Sequence, residues 1–283
     1  MIIDFHTHTF PDRIAAATIQ KLSQAAHIKA YSDGTTAGLT ASMKRAGIDL
    51  SVVLPVATSP RQVISINDSS ARINETTGET GLLSFGCIHP DFEDWHTELA
   101  RVRSLGLKGI KIHPVYQRAD LDDIRYLRIL ERAGELGLVV VTHNGLDIGF
   151  PGETQSSPEK LAKALTEVGP VTVIAAHMGG WKQWDEAAEQ LAAFHNLYVD
   201  TAFSTGRISP LEEGVYSEAF LSMLDEEAFL RQIYRFGVQK VVFGSDSPWS
   251  DQSETLARIN ALPLEDAQKN AILSENAKRL LGI

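Results

Sequence analysis

Cysteine is nearly absent: Cys87 is the only one in the chain. That excludes an internal disulfide and fits a reducing compartment. Its setting, Ser84-Phe85-Gly86-Cys87-Ile88, reads as a buried strand, so a packed thiol is expected rather than a nucleophile. Positive charge is also in short supply, with 26 Lys and Arg against 36 Asp and Glu and a formal net charge of -10. No nucleic-acid partner is expected, because binding one depends on neutralising phosphates, and no membrane surface either. No apolar run approaches the ~20 residues of a membrane-spanning helix. The first apolar run begins at Ile2, which leaves no room for a signal peptide, so a cytoplasmic protein is expected. Linkers rich in Pro, Ser or Gly and low-complexity stretches are missing as well. The 283 residues therefore read as one domain, 1–283, with a sizeable core.

What is present is a regular alternation of short apolar runs and helix-length segments. Strands are expected near Ile2–His6, Leu50–Val56, Leu82–Ile88, Leu107–His113, Leu138–His143, Val171–His177, Leu197–Thr201 and Lys240–Asp246. The connectors include Thr40–Ala46, Ile64–Thr77, Asp94–Leu105, Asp120–Leu136, Pro158–Glu167, Asp185–Phe194 and Leu211–Phe236. Many of them carry apolar residues three and four apart, as amphipathic helices do. Glycines such as Gly47, Gly81, Gly106, Gly137, Gly169 and Gly237 stand where a helix should stop. Nearly all-apolar β units joined by helical crossovers call for a parallel α/β sheet covered on its outer face. Eight of them close a (β/α)8 TIM barrel. An open doubly wound sheet would want a Gly-rich phosphate loop after its first strand. His6-Thr7-His8-Thr9-Phe10-Pro11 is nothing like one. The tail Pro263–Ile283 is expected to form a closing helix.

The polar residues cluster at strand ends. His6 and His8 are one residue apart on the first strand, and alternation points both to one side. Thr142-His143-Asn144, Ala176-His177-Met178-Gly179-Gly180 and Gly244-Ser245-Asp246-Ser247-Pro248 end three later apolar runs. In a barrel the C-terminal ends of all strands surround one cup, so His6, His8, His143, His177 and Asp246 meet there. Neutral histidines with a carboxylate suit Zn²⁺, with Mn²⁺ or Fe²⁺ as alternatives, and such a cation activates water near neutral pH. His27, His96 and His195 fall in helices or connecting loops and read as surface residues; His89 ends the third strand without a catalytic role.

These residues resemble the amidohydrolase superfamily, and within it the amidohydrolase 2 branch of metal-dependent TIM-barrel hydrolases, which also holds aminocarboxymuconate semialdehyde decarboxylase. The resemblance runs the length of the chain, through Asp4-Phe5-His6-Thr7-His8, Gly109-Ile110-Lys111-Ile112-His113-Pro114, Ser157-Pro158-Glu159, His177-Met178-Gly179-Gly180, Phe243-Gly244-Ser245-Asp246-Ser247-Pro248-Trp249 and Asn276-Ala277-Lys278-Arg279-Leu280-Leu281-Gly282. It implies one divalent metal held by His6, His8, His143 and Asp246. His177 would activate or orient the metal's water, and Asp246 would also accept a proton. In binuclear members a lysine on the fourth strand is carbamylated. This branch is usually mononuclear, which leaves Lys111 a buried lysine paired with an acid such as Asp4, one layer below His6. His113 would then face substrate.

The same cup serves two reactions. Hydrolysis of an ester, lactone or amide bond of a small-molecule substrate is the first reading. The alternative is non-oxidative decarboxylation of a small unsaturated or aromatic acid, which wants a cation aimed at a carboxylate; Arg61 and Arg207 are the candidates. A non-catalytic metal-binding barrel is the reading from another class, and the intact ligand set argues against it. Phe150, Trp181 and Trp249 are available as an apolar wall, with Phe150 in the glycine-rich loop Asn144–Gly152. The stretch Leu211–Phe236 reads either as a cap over the site or as the face of a homodimer, since barrels of this branch commonly pair.

Overall fold

The structure is a computed structural model that describes residues 1–283. Its strands are Ile3–Thr7, Leu50–Val53, Leu82–Ser84 continued past Phe85 by Gly86–Cys87, Gly109–Ile112, Val139–Thr142, Val173–Ala175, Leu197–Asp200 and Val241–Val242. Each pairs in parallel with the next. Phe85 donates its N–H to Val53 O at 2.9 Å and carries the third strand across its break. The last strand returns to the first through Phe5 N–H to Phe243 O at 2.7 Å, Asp246 N–H to His6 O at 2.8 Å and His8 N–H to Ser247 O at 2.7 Å. The sheet is therefore closed, as the eight apolar runs predict. Every strand but the first is shorter than its apolar run at the C-terminal end, because those last residues leave the ladder to build the rim.

Side chains alternate between two apolar layers, as pleated strands require. Ile110, Ile112, Val140, Val173 and Val199 face the surrounding helices in the large outer core. Leu50, Val52, Val139, Val141, Ile174 and Val242 fill the barrel, joined from below by Ala277 and Leu281 of the closing helix. The first strand breaks this rule at one place. Ile3 and Asp4 pair with Leu50 and Ser51, but Thr7 pairs with Val53, so the first strand carries one extra residue. Such a bulge re-aims the side chain beside it. Ile3 and Phe5 point into the barrel, and the bulge lets His6 do so too, while Asp4 is left on the outer wall beside Ser51 and Gln252.

The helices match the periodic segments closely, with Ile124–Glu135, Pro158–Glu167 and Glu226–Phe236 burying their apolar stripes. Gly47 ends Thr36–Ala46 in the left-handed conformation, at φ 71°. Gly169 does not act this way, because Pro158–Glu167 ends on an extended Val168. The closing segment is three short helical pieces, Asp266–Asn270, Ala271–Glu275 and Asn276–Leu281. Helix Asp12–Ala26 is not among the segments that periodicity marks, since it buries only Ala15, Ser23 and Ala26. It belongs to a third apolar cluster at the barrel mouth, where Ala26 and Ile28 meet Trp181, Phe203, Ile208 and Leu221. Tyr216 and Phe220 pack onto that cluster. The first half of Leu211–Phe236 therefore packs onto this cluster. No helix is long and apolar enough to cross a membrane.

Candidate metal centre

Three side-chain atoms converge where the first and last strands meet. His6 Nε2 lies 3.2 Å from His8 Nε2, and Asp246 Oδ1 lies 3.4 Å from His6 Nε2 and 3.2 Å from His8 Nε2. The outer nitrogens fix the tautomers. His6 Nδ1 sits 2.7 Å from Asp200 Oδ2, and His8 Nδ1 sits 2.8 Å from Leu54 O. Both partners accept, so both imidazoles carry their proton on Nδ1 and present a lone pair at Nε2. Two lone pairs and a carboxylate oxygen then face one another without a proton between them. Such a set repels itself unless a cation sits at its centre, and ligating histidines are usually held from behind in this way. The residues fit a divalent metal.

Burial shapes the charges here. It drives His6 well below the usual histidine range, reinforced by the Lys111 ammonium, and keeps the ring neutral. Burial works against ionised Asp246 too; where His8 or a neighbouring imidazole carries a proton facing it, the carboxyl is brought down to about 2. Burial lowers Lys111 to about 8, with Asp200 and Asp246 pulling the other way.

His143 and His177 stand beside this triad. His177 Nδ1 donates to Ala202 O at 3.0 Å, which leaves Nε2 free, and that atom lies 3.1 Å from His143 Nδ1. His143 Nε2 donates to Leu146 O at 3.0 Å, so its Nδ1 is also unprotonated. The facing pair repeats the pattern of the triad. His143 nonetheless lies outside the tight set of His6, His8 and Asp246. Asp200 braces both halves: its Oδ1 accepts the N–H of His177 at 2.8 Å while Oδ2 holds His6.

A second group of donors is formed by His113, His143 and Asp147. Asp147 Oδ2 lies 3.5 Å from His113 Nε2 and 3.8 Å from His143 Nε2. The two rings stack with centroids 4.2 Å apart and planes 10° from parallel. An ion in the plane of one ring is then far out of the plane of the other, so this pair cannot share a metal at ordinary bond lengths. The group is a carboxylate lying beside two imidazoles without a hydrogen bond to either. Tyr116 packs edge-on against His113 at 4.2 Å, and Phe150 against Tyr116 at 5.0 Å. Phe150 thus reaches the site through Tyr116, while Trp249 is half-buried against the apolar roof at the mouth.

Some expectations fail. Arg207 does not join the histidines; its exposed guanidinium is paired with Glu218 at 2.8 Å, because the roof segment carries its own acid. Arg61 is exposed in the turn Pro60–Gln62. Lys111 is not paired with Asp4, whose oxygens go to Ser245 and Gln252 on the outer wall; its Nζ instead lies 3.4 Å from His6 Nε2. His27, His96 and His195 are exposed, and His89 is buried, accepting the N–H of Asp91 at 3.1 Å. Asp200, Asp147 and Tyr116 were not foreseen. Asp200 carried a usable signal, a carboxylate ending an apolar run; Asp147 and Tyr116 lie in irregular segments that carry none.

The amidohydrolase 2 family model, described as amidohydrolase, matches residues 3–283. No curated protein sequence matches the chain. Among solved structures it is similar to an uncharacterised TIM-barrel protein from Bordetella bronchiseptica, with 17% identity, a TM-score of 0.74, and 99% of this chain and 98% of that one covered. It is also similar to a 5-carboxyvanillate decarboxylase from Sphingomonas paucimobilis, at 16% identity, TM-score 0.67, and 100% and 99% coverage. A third is the 5-carboxyvanillate decarboxylase from Novosphingobium aromaticivorans complexed with manganese and 4-hydroxy-3-methoxy-5-nitrobenzoic acid, at 14% identity, TM-score 0.70, and 100% and 96% coverage. At such identities the likeness establishes the fold.

Proposed function

The chain belongs to the amidohydrolase 2 family, and from that premise we propose that it is a metal-dependent hydrolase acting on an ester, lactone or amide bond of a small molecule. The observation that carries the proposal is the set of three mutually facing acceptors, His6 Nε2, His8 Nε2 and Asp246 Oδ1. With His143 Nδ1 as a further donor atom, they would hold Zn²⁺ first, with Mn²⁺ or Fe²⁺ as alternatives. A divalent cation supplies Lewis acidity and lowers the pKa of water in contact with it.

The protein's own groups do the rest. Asp246 stays ionised at neutral pH and has a second oxygen free to take a proton from the attacking water. His177, locked by Ala202 O, presents Nε2 to orient that water. His113, whose buried Nδ1 has no protein partner, offers a hydrogen bond to the substrate from the opposite wall. Tyr116 and Phe150 give that wall an apolar edge, and Trp249 contributes at the mouth. We also place the protein in the cytoplasm, in keeping with its single buried thiol.

Decarboxylation of an unsaturated or aromatic acid is the second reading. Two observations favour it: the likeness to solved decarboxylases, and Lys111, a buried cation beside the cup with no acid in ion-pair contact. In that reading Lys111 takes the place expected of a loop arginine.

One experiment separates the readings. Protein loaded with zinc or manganese is offered aryl esters and lactones in one panel, and hydroxybenzoates and unsaturated acids in the other. Acid release from the first panel, abolished by Asp246→Asn, supports hydrolysis. CO2 release from the second, abolished by Lys111→Met, supports decarboxylation. Metal bound but no turnover in either would leave the non-catalytic metal-binding barrel.

A further inference from the structure

Behind the metal triad, between the barrel wall and helix Gln252–Ala261, lies a buried polar cluster with no part in holding a cation. Asp4 is its centre. Oδ1 accepts the N–H of His6 at 3.2 Å and of Ser245 at 2.9 Å. Oδ2 accepts from the Ser245 hydroxyl at 2.6 Å and from the Gln252 amide at 2.7 Å. Ser245 Oγ in turn accepts the N–H of Ser247 at 3.0 Å. Asp4, Ser245 and Gln252 are all fully buried.

A carboxylate in a protein wall, satisfied only by neutral donors, costs more than an apolar side chain of the same size. What it holds explains its presence. The N–H of His6 belongs to the bulge that turns this histidine into the barrel. Ser245 immediately precedes Asp246, a non-glycine residue in the left-handed conformation at φ 68°, where strain has to be sustained by surrounding contacts. Asp246 is itself tied to His6 by its own N–H, at 2.8 Å. One carboxylate therefore grips both irregular backbones that carry the triad, the bulge on the first strand and the left-handed turn after the last.

We propose that Asp4, Ser245 and Gln252 form a positioning clamp that sets the distance of the Asp246 carboxylate from His6 and His8, and through it the affinity of the site for its metal. The proposal rests on the metal reading given above.

The test uses the full-length protein stripped of metal, with zinc alone and cobalt(II) alone as probes. Ser245→Ala removes one donor to Asp4, and Gln252→Leu removes another from a separate helix at similar volume, so one variant suffices if the other fails to fold. Zinc affinity is read by competition with a chromophoric chelator, ligand geometry by the visible absorption of bound cobalt, and stability by melting of the apoprotein. The expected result is an affinity about 10–100-fold weaker, the range for residues that orient metal ligands, together with an altered cobalt spectrum. A lower melting temperature with wild-type affinity and spectrum makes the cluster merely structural and overturns the proposal. A wild type that binds neither ion overturns the metal reading, and the clamp with it.

Discussion

Asp200 gives the sharpest test of the tautomer reasoning. Its Oδ2 lies 2.7 Å from His6 Nδ1, and its Oδ1 accepts the N–H groups of His177 at 2.8 Å and Ala202 at 3.1 Å. In Asp200→Asn, the amide oxygen stays with the two backbone donors and the NH2 group then faces His6 Nδ1. Donor meets donor unless His6 moves its proton to Nε2, where it blocks the lone pair that the metal needs. In Asp200→Ala, His6 loses its brace but keeps free choice of tautomer. Loss of such a brace costs about 10–100-fold in metal affinity, or about 1.4–2.7 kcal/mol. Asparagine should therefore bind zinc at least as weakly as alanine. Stability should rank the other way, because alanine leaves a cavity and two buried N–H groups unpaired. Zinc affinity by chelator competition and apoprotein melting read the two orders independently. Affinities for both variants within twofold of wild type, or a clearly weaker alanine variant, would refute the assignment of the His6 proton to Nδ1.

Gly145→Ala should lower the melting temperature by about 5 °C or more. The glycine sits at φ 88°, and an added Cβ would lie 2.2 Å from the backbone nitrogen of Trp181; an unchanged melting curve would contradict this packing. Burial pushes the Cys87 thiol far up from its ordinary value, so a disulfide-exchange reagent at pH 8 should leave the native protein unlabelled and label it stoichiometrically once denatured. Rapid native labelling would place the thiol elsewhere. Arg207→Ala should leave metal content and turnover as they are, since the guanidinium is exposed and engaged with Glu218; loss of turnover would return it to the mechanism.

The barrel and the polar residues at its rim were legible because parallel strands buried on both faces read as apolar runs, and a polar residue that ends such a run stands out. His6, His8, His143, His177 and Asp246 are all of this kind. Asp200 is as well, a carboxylate at the end of the run Leu197–Asp200. The bulge that directs His6 inward could not be read, since an extra residue has meaning only against the register of a partner strand. Strict alternation placed Asp4 below His6 for this reason, whereas it lies on the outer wall. The pairing of Arg207 with Glu218 and the reach of Asp147 to His113 depend on irregular backbone. No periodicity encodes such paths.

The triad draws His6 and His8 from the opening strand and Asp246 from the closing one. Asp246 follows His8 by 238 residues, so the three groups meet only when the last strand has docked on the first. On the metal reading proposed above, tight binding of an ion would therefore require a closed ring of strands. A fragment that stops short of the final strand would lack Asp246 and should hold an ion weakly at best.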